Sequence, residues 1–562
     1  MVEVEKALAR VQTQLGPADY DLFRRLVNTC AAVAAILSSQ RAMLARLRRL
    51  FGLSSSERSS SVLSGQDAAE ENAAAPGEGE PAGAEPSSSE PVGDAPDERT
   101  KPKGHGRLPV SMYKTAEHIP VLHLSLHVGG ACPDCRFGKL YDLRKPAQFL
   151  RIFGQPMFAG TCWDCQRLRC SSCGQVHTAK APAEAHGPKF DESAVVMIAM
   201  SRYSLGLPHN RIEQMQKHMK LPVPASTQCD VIYENAPAFE PVFAELERQG
   251  AQGELMHNDD SHGPVLALMG ERRAKLLQQG NFPDPERVGM FTTAIVCITN
   301  MLPILLFYTG RKYAGENLAT LLEARDDELE PPILMSDGLA SRNLPKGHPV
   351  VEANCLTHGR RNFVDQLVNF PKECRFVIEE LRKVYRIDAQ CKKARLSPVE
   401  RLAVHQRDSA PIMNELRKRL QAELDEKRVE PNSDLGQAYK YMLKRWDKLT
   451  LFLRRAGAPL DNNVCERALK MAIRHRRNSF FYRSERGAEI GDMFMSLIYT
   501  AELHGENPFE YLSAVLRNEK AVAANPVDWM PWTYRATLAR LAEQHPRAPA
   551  SAQPRVQATA AA

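Results

Sequence analysis

Residues 290–310 read MFTTAIVCITNMLPILLFYTG, twenty-one consecutive positions without a charged side chain. A run of this length is a candidate for a membrane-spanning helix, which needs about 20 apolar residues. Thr299, Asn300 and Pro303 interrupt the run, however, and β-branched residues are frequent in the halves on either side. Those features are typical of two buried β-strands joined by a turn. We therefore expect a β-hairpin here and no membrane span.

Three further short apolar runs lie on either side of this hairpin. They read GELMHNDD at 253–260, PPILMSDG at 331–338 and HPVVEANC at 348–355. Runs of this kind, separated by turn residues, predict the strands of a mostly buried sheet.

Helical patterns surround the predicted sheet. Apolar residues fall on one face between 187 and 250, and helical periodicity returns after His358 and continues to about Arg455. A start is marked at Ser397-Pro398-Val399-Glu400, where serine is the N-cap and glutamate closes a capping box. Another helix is predicted to begin at Asp461. The combination indicates a mixed α and β protein.

Carboxylates follow two of the predicted strands. Asp259 and Asp260 come where ELMHN runs into a predicted turn, Asp337 follows PPILM in the same way, and Glu466 lies on the helix that begins at Asp461. Two such aspartates and a third acid on a helix are able to hold two divalent cations about 3.5–4 Å apart. Carboxylates are the oxygen ligands that magnesium takes.

The same acids have simpler interpretations. Asp337 precedes Gly338, as a turn aspartate does, and Glu466 has Arg467 and Lys470 within reach for a surface ion pair. With 67 acidic residues in the chain, spacing alone does not decide between these alternatives.

Charge is unevenly distributed along the 562 residues. The net charge is +6, but residues 57–99 hold eleven acids and two arginines, so the remainder carries +15. A basic body of several domains favours a polyanionic partner, either nucleic acid or an anionic membrane.

Cysteines are concentrated between 132 and 173, in an order of three CxxC pairs. The chain starts MVEVEKALARVQ, with charges where a signal peptide has its apolar core, so we expect a reducing, cytoplasmic compartment and a metal site rather than disulfides. Two CxxC turns supply the four thiolates of a structural zinc site. The favoured ligands are Cys132, Cys135, Cys170 and Cys173; Cys162 and Cys165, and more remotely His177, are alternatives.

The ends of the chain have different patterns. Between Leu26 and Phe51 apolar positions recur at alternating spacings of four and three, with one polar position at Gln40, which predicts a coiled coil or an amphipathic helix packed on its own protein. Residues 54–100 are rich in Ser, Ala, Gly, Pro and Glu and predict a disordered linker, and a second low-complexity tail begins near Pro546.

Several segments resemble the bacterial insertion-sequence transposases of the IS66 group, which are of the DDE type. Residues 459–512, beginning PLDNNVCERALK, resemble the C-terminal part of that family, whose signature DNNxxER contains the catalytic glutamate. HNDDS at 257–261 resembles the family's H-x-D-E-T. ILMSDGLASRNLP at 333–345 and ANCLTHGRRNF at 353–363 resemble the segment around the second aspartate. RRLFGLSSSER, KGHGRLP, CPDC and CSSC extend the likeness to the zipper and zinc-binding domain.

The resemblance implies a function and a fold. Asp259, Asp337 and Glu466 would be the catalytic acids and would bind Mg²⁺ or Mn²⁺. They would lie in a ribonuclease-H-like core interrupted by helices, preceded by a coiled coil and a zinc ribbon: a multidomain α+β protein. The activity would be metal-dependent cleavage at transposon ends and strand transfer into target DNA.

Partners follow from the same resemblance. They would be double-stranded DNA, a second copy of the chain and accessory proteins of the same element, in the bacterial cytoplasm at the nucleoid. The cations predicted to contact DNA are Lys470, Arg474, Arg476, Arg477, Arg360 and Arg361. The sequence departs from the family in two places: DDS stands for DET, which leaves a choice between Asp259 and Asp260, and Cys162 and Cys165 form an additional pair.

We divide the chain accordingly. The predicted parts are a helical zipper region at 1–53, an acidic linker at 54–104, a zinc-binding domain at 105–186, a helical connector at 187–250, a catalytic core at 251–500 with a helical insertion at about 359–456, a C-terminal helical region at 501–545 and a tail at 546–562. Two rival functions are a zinc-ribbon DNA-binding protein without catalysis, and a protein whose acids only tie the sheet to its helices.

Overall fold

The computed structural model describes residues 157–169, 175–279, 289–338 and 344–544, with short pieces at 119–121, 125–130, 133, 139–141, 171 and 287. The predicted coiled coil, acidic linker and C-terminal tail lie outside the described residues. So do four of the predicted zinc ligands, Cys132, Cys135, Cys170 and Cys173.

Two compact units are distinguished among the described residues. The smaller holds those within 76–185 and 213–223, and the larger holds the others. In the smaller unit, β1 (Arg167–Arg169) and β2 (Val176–Thr178) pair in antiparallel fashion, with Leu168 opposite His177. In the sequence, these two strands stand on either side of the CSSC pair.

The larger unit is built on a five-stranded mixed sheet. Its strands are β3 (Leu255–His262), β4 (Phe291–Thr299), β5 (Leu302–Gly310), β6 (Ile333–Ser336) and β7 (Val351–Asn354). Their order is β5-β4-β3-β6-β7. The first three strands are antiparallel neighbours, whereas β6 runs parallel to β3 and β7 parallel to β6. All the predicted strand runs are confirmed.

The predicted hairpin at 290–310 is confirmed in detail. Thr299 pairs with Leu302, and the two residues between them, Asn300 and Met301, have φ values of 49° and 67°. Positive φ at both positions is what a tight two-residue turn between twisted strands needs. The strand centres are buried. No helix in the described part of the chain is long and apolar enough to cross a membrane.

One expectation about β3 is wrong. The sequence predicted a turn at Asp259 and Asp260, but the strand continues to His262, and β4 pairs with it along its whole length. The polar side chains at this end of β3 find partners across the sheet, so they do not stop the strand. Thr293 on β4 donates a hydrogen bond to Asp260, for example.

Helices precede and interrupt the first half of the sheet. They are α1 (Glu192–Ala199), α2 (His209–His218), α3 (Ala225–Asn235), α4 (Glu240–Ala251), α5 (Gly270–Gln278) and α6 (Ala314–Leu322). A π-helical turn, Met200–Ser204, continues α1. The helical prediction for 187–250 is therefore confirmed.

A helical insertion separates β7 from the next part of the unit. It consists of α7 (Leu356–Gln366), α8 (Pro371–Lys393), α9 (Pro398–Val404), α10 (Ala410–Asp425), α11 (Asp434–Lys444) and α12 (Trp446–Leu449). The capping box predicted at Ser397 and Glu400 is present. Buried side chains of the insertion share one hydrophobic cluster with Ile333, Met335 and Ala353 of β6 and β7. The insertion is thus packed on one edge of the sheet.

The remaining helices are α13 (Asn463–Ser479), α14 (Glu485–Leu503), α15 (Pro508–Arg517), α16 (Glu519–Ala524) and α17 (Tyr534–Gln544). Helix α14 covers the other edge of the sheet, at β5. Three of its side chains, Asp492, Ser496 and Thr500, accept hydrogen bonds from the backbone N–H groups of Thr309, Phe307 and Leu305. Because the three recur every four residues, they form one row that satisfies an otherwise unpaired strand edge.

Candidate active site

The sheet brings Asp259 level with Asp337. In the parallel pair, Leu255 lies opposite Ile333 and His257 opposite Met335. The same offset relates Asp259 to Asp337, the residue that directly follows β6. The two aspartates therefore stand at one level on neighbouring strands, although 78 positions separate them in the chain.

Asp337 is positioned by a turn and by the helical insertion. Gly338 has a φ of +72°, and a Cβ there would come within 2.7 Å of the Asn354 side chain, so only glycine fits this close approach. The Tyr441 hydroxyl donates to the Asp337 carbonyl at 3.1 Å, and Arg445 Nε donates to the Gly338 carbonyl at 3.1 Å. No sequence pattern indicated Tyr441 of α11 or Arg445, which directly follows that helix, because their partners are backbone atoms more than 100 positions away.

Glu466 lies in the first turn of α13, and that turn is fastened to β3. Asn462 is fully buried; its Nδ2 donates to the Asn258 carbonyl at 3.1 Å, and its Oδ1 lies 2.9 Å from His257 Nδ1. Burial lowers the pKa of His257 to about 4, so the ring is neutral and donates its single Nδ1 proton to Asn462. The asparagine thus fixes where α13 begins relative to the strand that carries Asp259.

The surroundings of Glu466 are incompletely satisfied. Its Oε1 lies 3.7 Å from His358 Nδ1, which is too long for a hydrogen bond. Both atoms are buried and have no hydrogen-bond partner among the described residues. No ion pair of Glu466 with Arg467 or Lys470 is formed in this part of the chain. A buried carboxylate oxygen without a protein partner is costly, so this atom is one that a cation or an ordered water would satisfy.

The pKa of Asp259 is influenced by its burial and by the neighbouring acids. This pKa is raised to about 7, chiefly by burial and in smaller part by the negative charges of Asp337, Glu466 and Asp260. The hydrogen bond from the Asp260 backbone N–H, at 2.8 Å, acts in the opposite direction. The sequence-predicted trio is therefore close enough to interact. Carboxylates gathered in this way repel one another unless a cation is shared between them.

Asp260 has a different role from its neighbour. Because side chains alternate along a strand, it faces away from the side that carries His257 and Asp259. Its Oδ1 accepts a hydrogen bond from the Thr293 hydroxyl at 2.7 Å, and its Oδ2 accepts one from the Ala314 backbone N–H at 3.0 Å. Asp260 thus connects β3 to β4 and to the start of α6.

A further cluster shares Glu466. One ligand atom each of Cys355, His358 and Glu466 lie within 4.8 Å of one another. Burial raises the pKa of the Cys355 thiol to about 11, and its sulfur accepts a hydrogen bond from the Asn462 backbone N–H at 3.2 Å. The thiol is therefore protonated at neutral pH. The Glu466 carboxylate suits Mg²⁺ or Mn²⁺, whereas an imidazole nitrogen such as that of His358 is a softer donor that suits transition metals.

The cations predicted to contact DNA fall into two groups. Lys470, Arg474 and Arg477 are exposed on α13, and Arg476 beside them donates to Ser261 Oγ at 3.0 Å. Arg361 is half-buried, and Arg360 is only 6% exposed. The exposed surface therefore carries the α13 cations, and Arg360 contributes little to it.

Among the predicted zinc ligands, the structure describes only the alternative ones. Cys162 is exposed and Cys165 is half-buried, and both are free thiols. His177 is exposed on β2. The favoured ligand set, Cys132, Cys135, Cys170 and Cys173, lies outside the described residues and stays a prediction.

Comparison with known proteins gives one family and three relatives. The model of the family described as "Transposase IS66 family" matches residues 188–490, which include all three acids. The uncharacterized protein y4hP of Sinorhizobium fredii (strain NBRC 101917 / NGR234) is 25% identical over 398 residues, covering 66% of this chain and 68% of its own. Two other uncharacterized proteins of that strain are similar over shorter lengths. Protein y4jD is 33% identical over 35% of this chain and 38% of its own, and y4qI is 26% identical over 36% and 39%.

Proposed function

The chain belongs to the IS66 transposase family, and from that premise we propose that it is a DDE transposase whose Asp259, Asp337 and Glu466 hold divalent cations. Its reaction would be cleavage of DNA at transposon ends followed by strand transfer into a target. The observation that carries this proposal is the convergence of three acids, distant in sequence: burial raises the pKa of Asp259 to about 7, and the charges of Asp337 and Glu466 contribute to that rise.

The sheet supports a ribonuclease-H-like core. Counted in chain order, the second strand (β4) is antiparallel to the first (β3), and the third (β5) is antiparallel to the second. The fourth strand (β6) runs parallel to the first, and the fifth (β7) runs parallel to the fourth. The first acid lies on the first strand and the second acid follows the fourth. The third comes from a helix after an insertion, as the family resemblance implies. We propose this architecture for residues 251–500.

The residues present fit a divalent cation. Asp259, Asp337 and Glu466 offer carboxylate oxygens, and the buried, unpartnered Oε1 of Glu466 is the atom that a ligand would satisfy. When bound, Mg²⁺ or Mn²⁺ activates an attacking oxygen and stabilises a leaving oxygen in phosphodiester chemistry. The protein's part is to hold the acids in place: Asn462 fixes the start of α13, and Tyr441 and Arg445 hold the turn after Asp337.

The exposed cations of α13 support a DNA-binding role. Lys470, Arg474 and Arg477 recur at spacings of four and three, so they share one side of the helix, and Glu466 precedes Lys470 by one turn. Phosphate contacts along this side would place a DNA strand over the acids. Arg476 and Arg361 are also proposed to contact DNA, although they are less exposed than the other three cations.

The zinc site and the coiled coil are proposed from the sequence, because their residues lie outside the described part of the chain. Structural zinc would be held by Cys132, Cys135, Cys170 and Cys173 in a ribbon within 105–186, and the β1–β2 pair on either side of CSSC agrees with that arrangement. A coiled coil within 1–53 would pair two copies, as holding two transposon ends together requires.

The test is strand cleavage and transfer by purified protein with Mg²⁺ and DNA that carries the element's ends. Asp259→Asn is expected to lower the rate by about 1,000-fold or more, because it removes a charge that holds the cation. Asp260→Asn is the matched control. It is expected to lower the free energy of unfolding by about 1–2 kcal/mol while the folded fraction keeps its rate within a few-fold.

Three outcomes separate the alternatives. Specific binding without cleavage, unchanged in Asp259→Asn, supports a DNA-binding protein that has lost catalysis. An absence of specific DNA binding favours acids with a purely structural role. Equal losses of cleavage in Asp259→Asn and Asp260→Asn, with both proteins folded, contradict the assignment of Asp259 over its neighbour.

A further inference from the structure

A cavity of about 400 Å³ lies at the end of α13 opposite to Glu466. It is bordered by the segment 478–483, by residues 202–203 and 208–211, and by Cys229 and Tyr233 on α3. We infer that this cavity binds an unpaired nucleotide of a DNA strand. The inference rests on the proposed function in so far as DNA is the substrate.

The charge around the cavity suits a phosphate. Arg202, Arg211 and Arg483 line it, and no carboxylate is among its lining residues. Arg202 donates a hydrogen bond to the neutral Ser479 hydroxyl. None of the three arginines is paired with an acid in the described part of the chain. Three cations without acidic partners create the positive potential and the donor groups that a phosphate needs.

Aromatic side chains at the rim suit a base. Phe480 is 70% exposed, and Phe481 and Tyr233 are each 42% exposed. Adjacent phenylalanines this exposed are poorly explained by packing within the chain. Exposed aromatic rings beside arginines are the combination that binds single-stranded nucleic acid, since every base stacks on such a ring and the cations follow its backbone.

The backbone at Phe480 adds an independent indication. This residue ends α13 with a φ of +67° and a ψ of −45°, and the Phe481 N–H donates to the Ser479 carbonyl at 2.8 Å, so Phe480 is the centre of a γ-turn of the rare, strained kind. A phenylalanine is strained there, and its ring is not buried in return. Strain of this kind persists where the side chain is used for binding.

The position relative to the acids favours DNA over a peptide partner. Glu466 and Phe480 are fourteen residues apart on one helix, a span of roughly 21 Å, or about six base pairs of duplex. The exposed cations Lys470, Arg474 and Arg477 lie between them. One strand is thus able to run from the acids along the cations and end with a base on the phenylalanines.

The experiment measures binding without cleavage. The full chain is titrated into a fluorescent oligothymidylate of about 20 nucleotides and into a duplex of the same length. Ca²⁺ replaces Mg²⁺ so that binding is measured without cleavage. Phe480→Ala/Phe481→Ala is expected to weaken single-strand binding by roughly 5- to 100-fold, the range for loss of base stacking, and to change duplex binding much less. Met301→Ala removes an equally exposed apolar side chain, at 71% exposure on the hairpin turn, and is expected to change neither.

A second variant separates binding from folding. Phe480→Gly relieves the backbone strain of a positive φ at this position. The thermal midpoint of the variant is therefore expected to rise, while its affinity for single-stranded DNA falls. Phe480→Trp is expected to restore the affinity. A lower midpoint in Phe480→Gly together with lower affinity would mean that the ring has a structural role, and the inference would be wrong.

Other outcomes are equally decisive. The inference fails if the wild-type chain does not bind the oligothymidylate, or if the double alanine variant binds it within twofold of wild type. Failure of the proposed function is seen separately, as cleavage that survives Asp259→Asn. Phenylalanine-dependent binding would still stand in that case.

Discussion

The two ends of α13 have opposite chemistry. The first turn presents Glu466 to two aspartates in a half-buried setting, where the helix start is tied to β3 through Asn462. The last turn leads to exposed phenylalanines beside three arginines. One helix thus joins a cluster of acids to a cluster of arginines and exposed aromatic rings. The comparison teaches that precise positioning is concentrated at the acidic end, whereas the basic end relies on exposure.

The largest expected effect is at the acidic end. Glu466→Gln should lower the cleavage rate by about 1,000-fold. It should also raise the thermal midpoint measured without metal, because one of three mutually repelling charges is gone. Added Mg²⁺ should then stabilise the variant less than the wild type. Glu323→Gln, at an exposed acid at the end of α6, is the control, and equal Mg²⁺ responses in all three proteins would contradict a cation at Glu466.

The next effect tests how the acidic end is held. Asn462→Ala removes two buried hydrogen bonds, so the free energy of unfolding should fall by about 2–3 kcal/mol. The cleavage rate of the folded protein should fall by about 10- to 100-fold. Asn518→Ala, which removes a hydrogen bond to Ala514 within α15, should reduce stability less and leave activity unchanged. Undiminished cleavage by Asn462→Ala would show that the start of α13 needs no such anchor.

A smaller effect is expected along the helix. Lys470→Gln/Arg477→Gln should weaken duplex binding and reduce the slope of log affinity against log salt by about 2, one for each phosphate that the protein no longer neutralises. Lys520→Gln, an exposed cation on α16, should leave the slope unchanged. An unchanged slope in the double variant would remove α13 from the DNA-binding surface.

The smallest effect concerns Asp492, a buried acid on α14 that contacts β5. Burial raises the pKa of Asp492, which seals the β5 edge, to about 7. Since the unfolded carboxyl titrates near 4, the folded state binds a proton that the unfolded state releases between about pH 4 and 7. Stability from this group is therefore present at low pH and lost as pH rises towards 7.

Asp492→Asn removes that titration. The variant should have a thermal midpoint a few degrees above wild type at pH 8, with little difference at pH 4.5. Thermal unfolding of both proteins at the two pH values measures it. A variant that is less stable at pH 8 would mean that Asp492 is stabilised as a carboxylate by Thr309.

Sequence reasoning was most successful where a pattern is local. The strands around 290–310 and the cap at Ser397 follow from adjacent residues, and the structure confirms both. The turn expected at Asp259 was wrong, because the partners that extend β3 belong to other strands and helices.

The candidate site was only partly accessible in the same way. The family resemblance predicts the three acids, and the charges of Asp337 and Glu466 contribute to the raised pKa of Asp259. Tyr441, Arg445 and the bond between His257 and Asn462 were not anticipated, because nothing in a local pattern indicates an interaction across 100 or 200 positions. Phe480 and Phe481 have a local signal, two adjacent aromatic residues directly after a basic helix, but the sequence does not show that their rings are exposed.

The helical insertion has a consequence for synthesis. Asp337 and Glu466 are 129 positions apart, and the helical insertion between them packs against β6 and β7. A nascent chain that has left the ribosome only as far as α11 already carries both aspartates on its strands and lacks the third acid. Under the proposed function, the site would therefore be complete only after the insertion and the first turn of α13 have been translated.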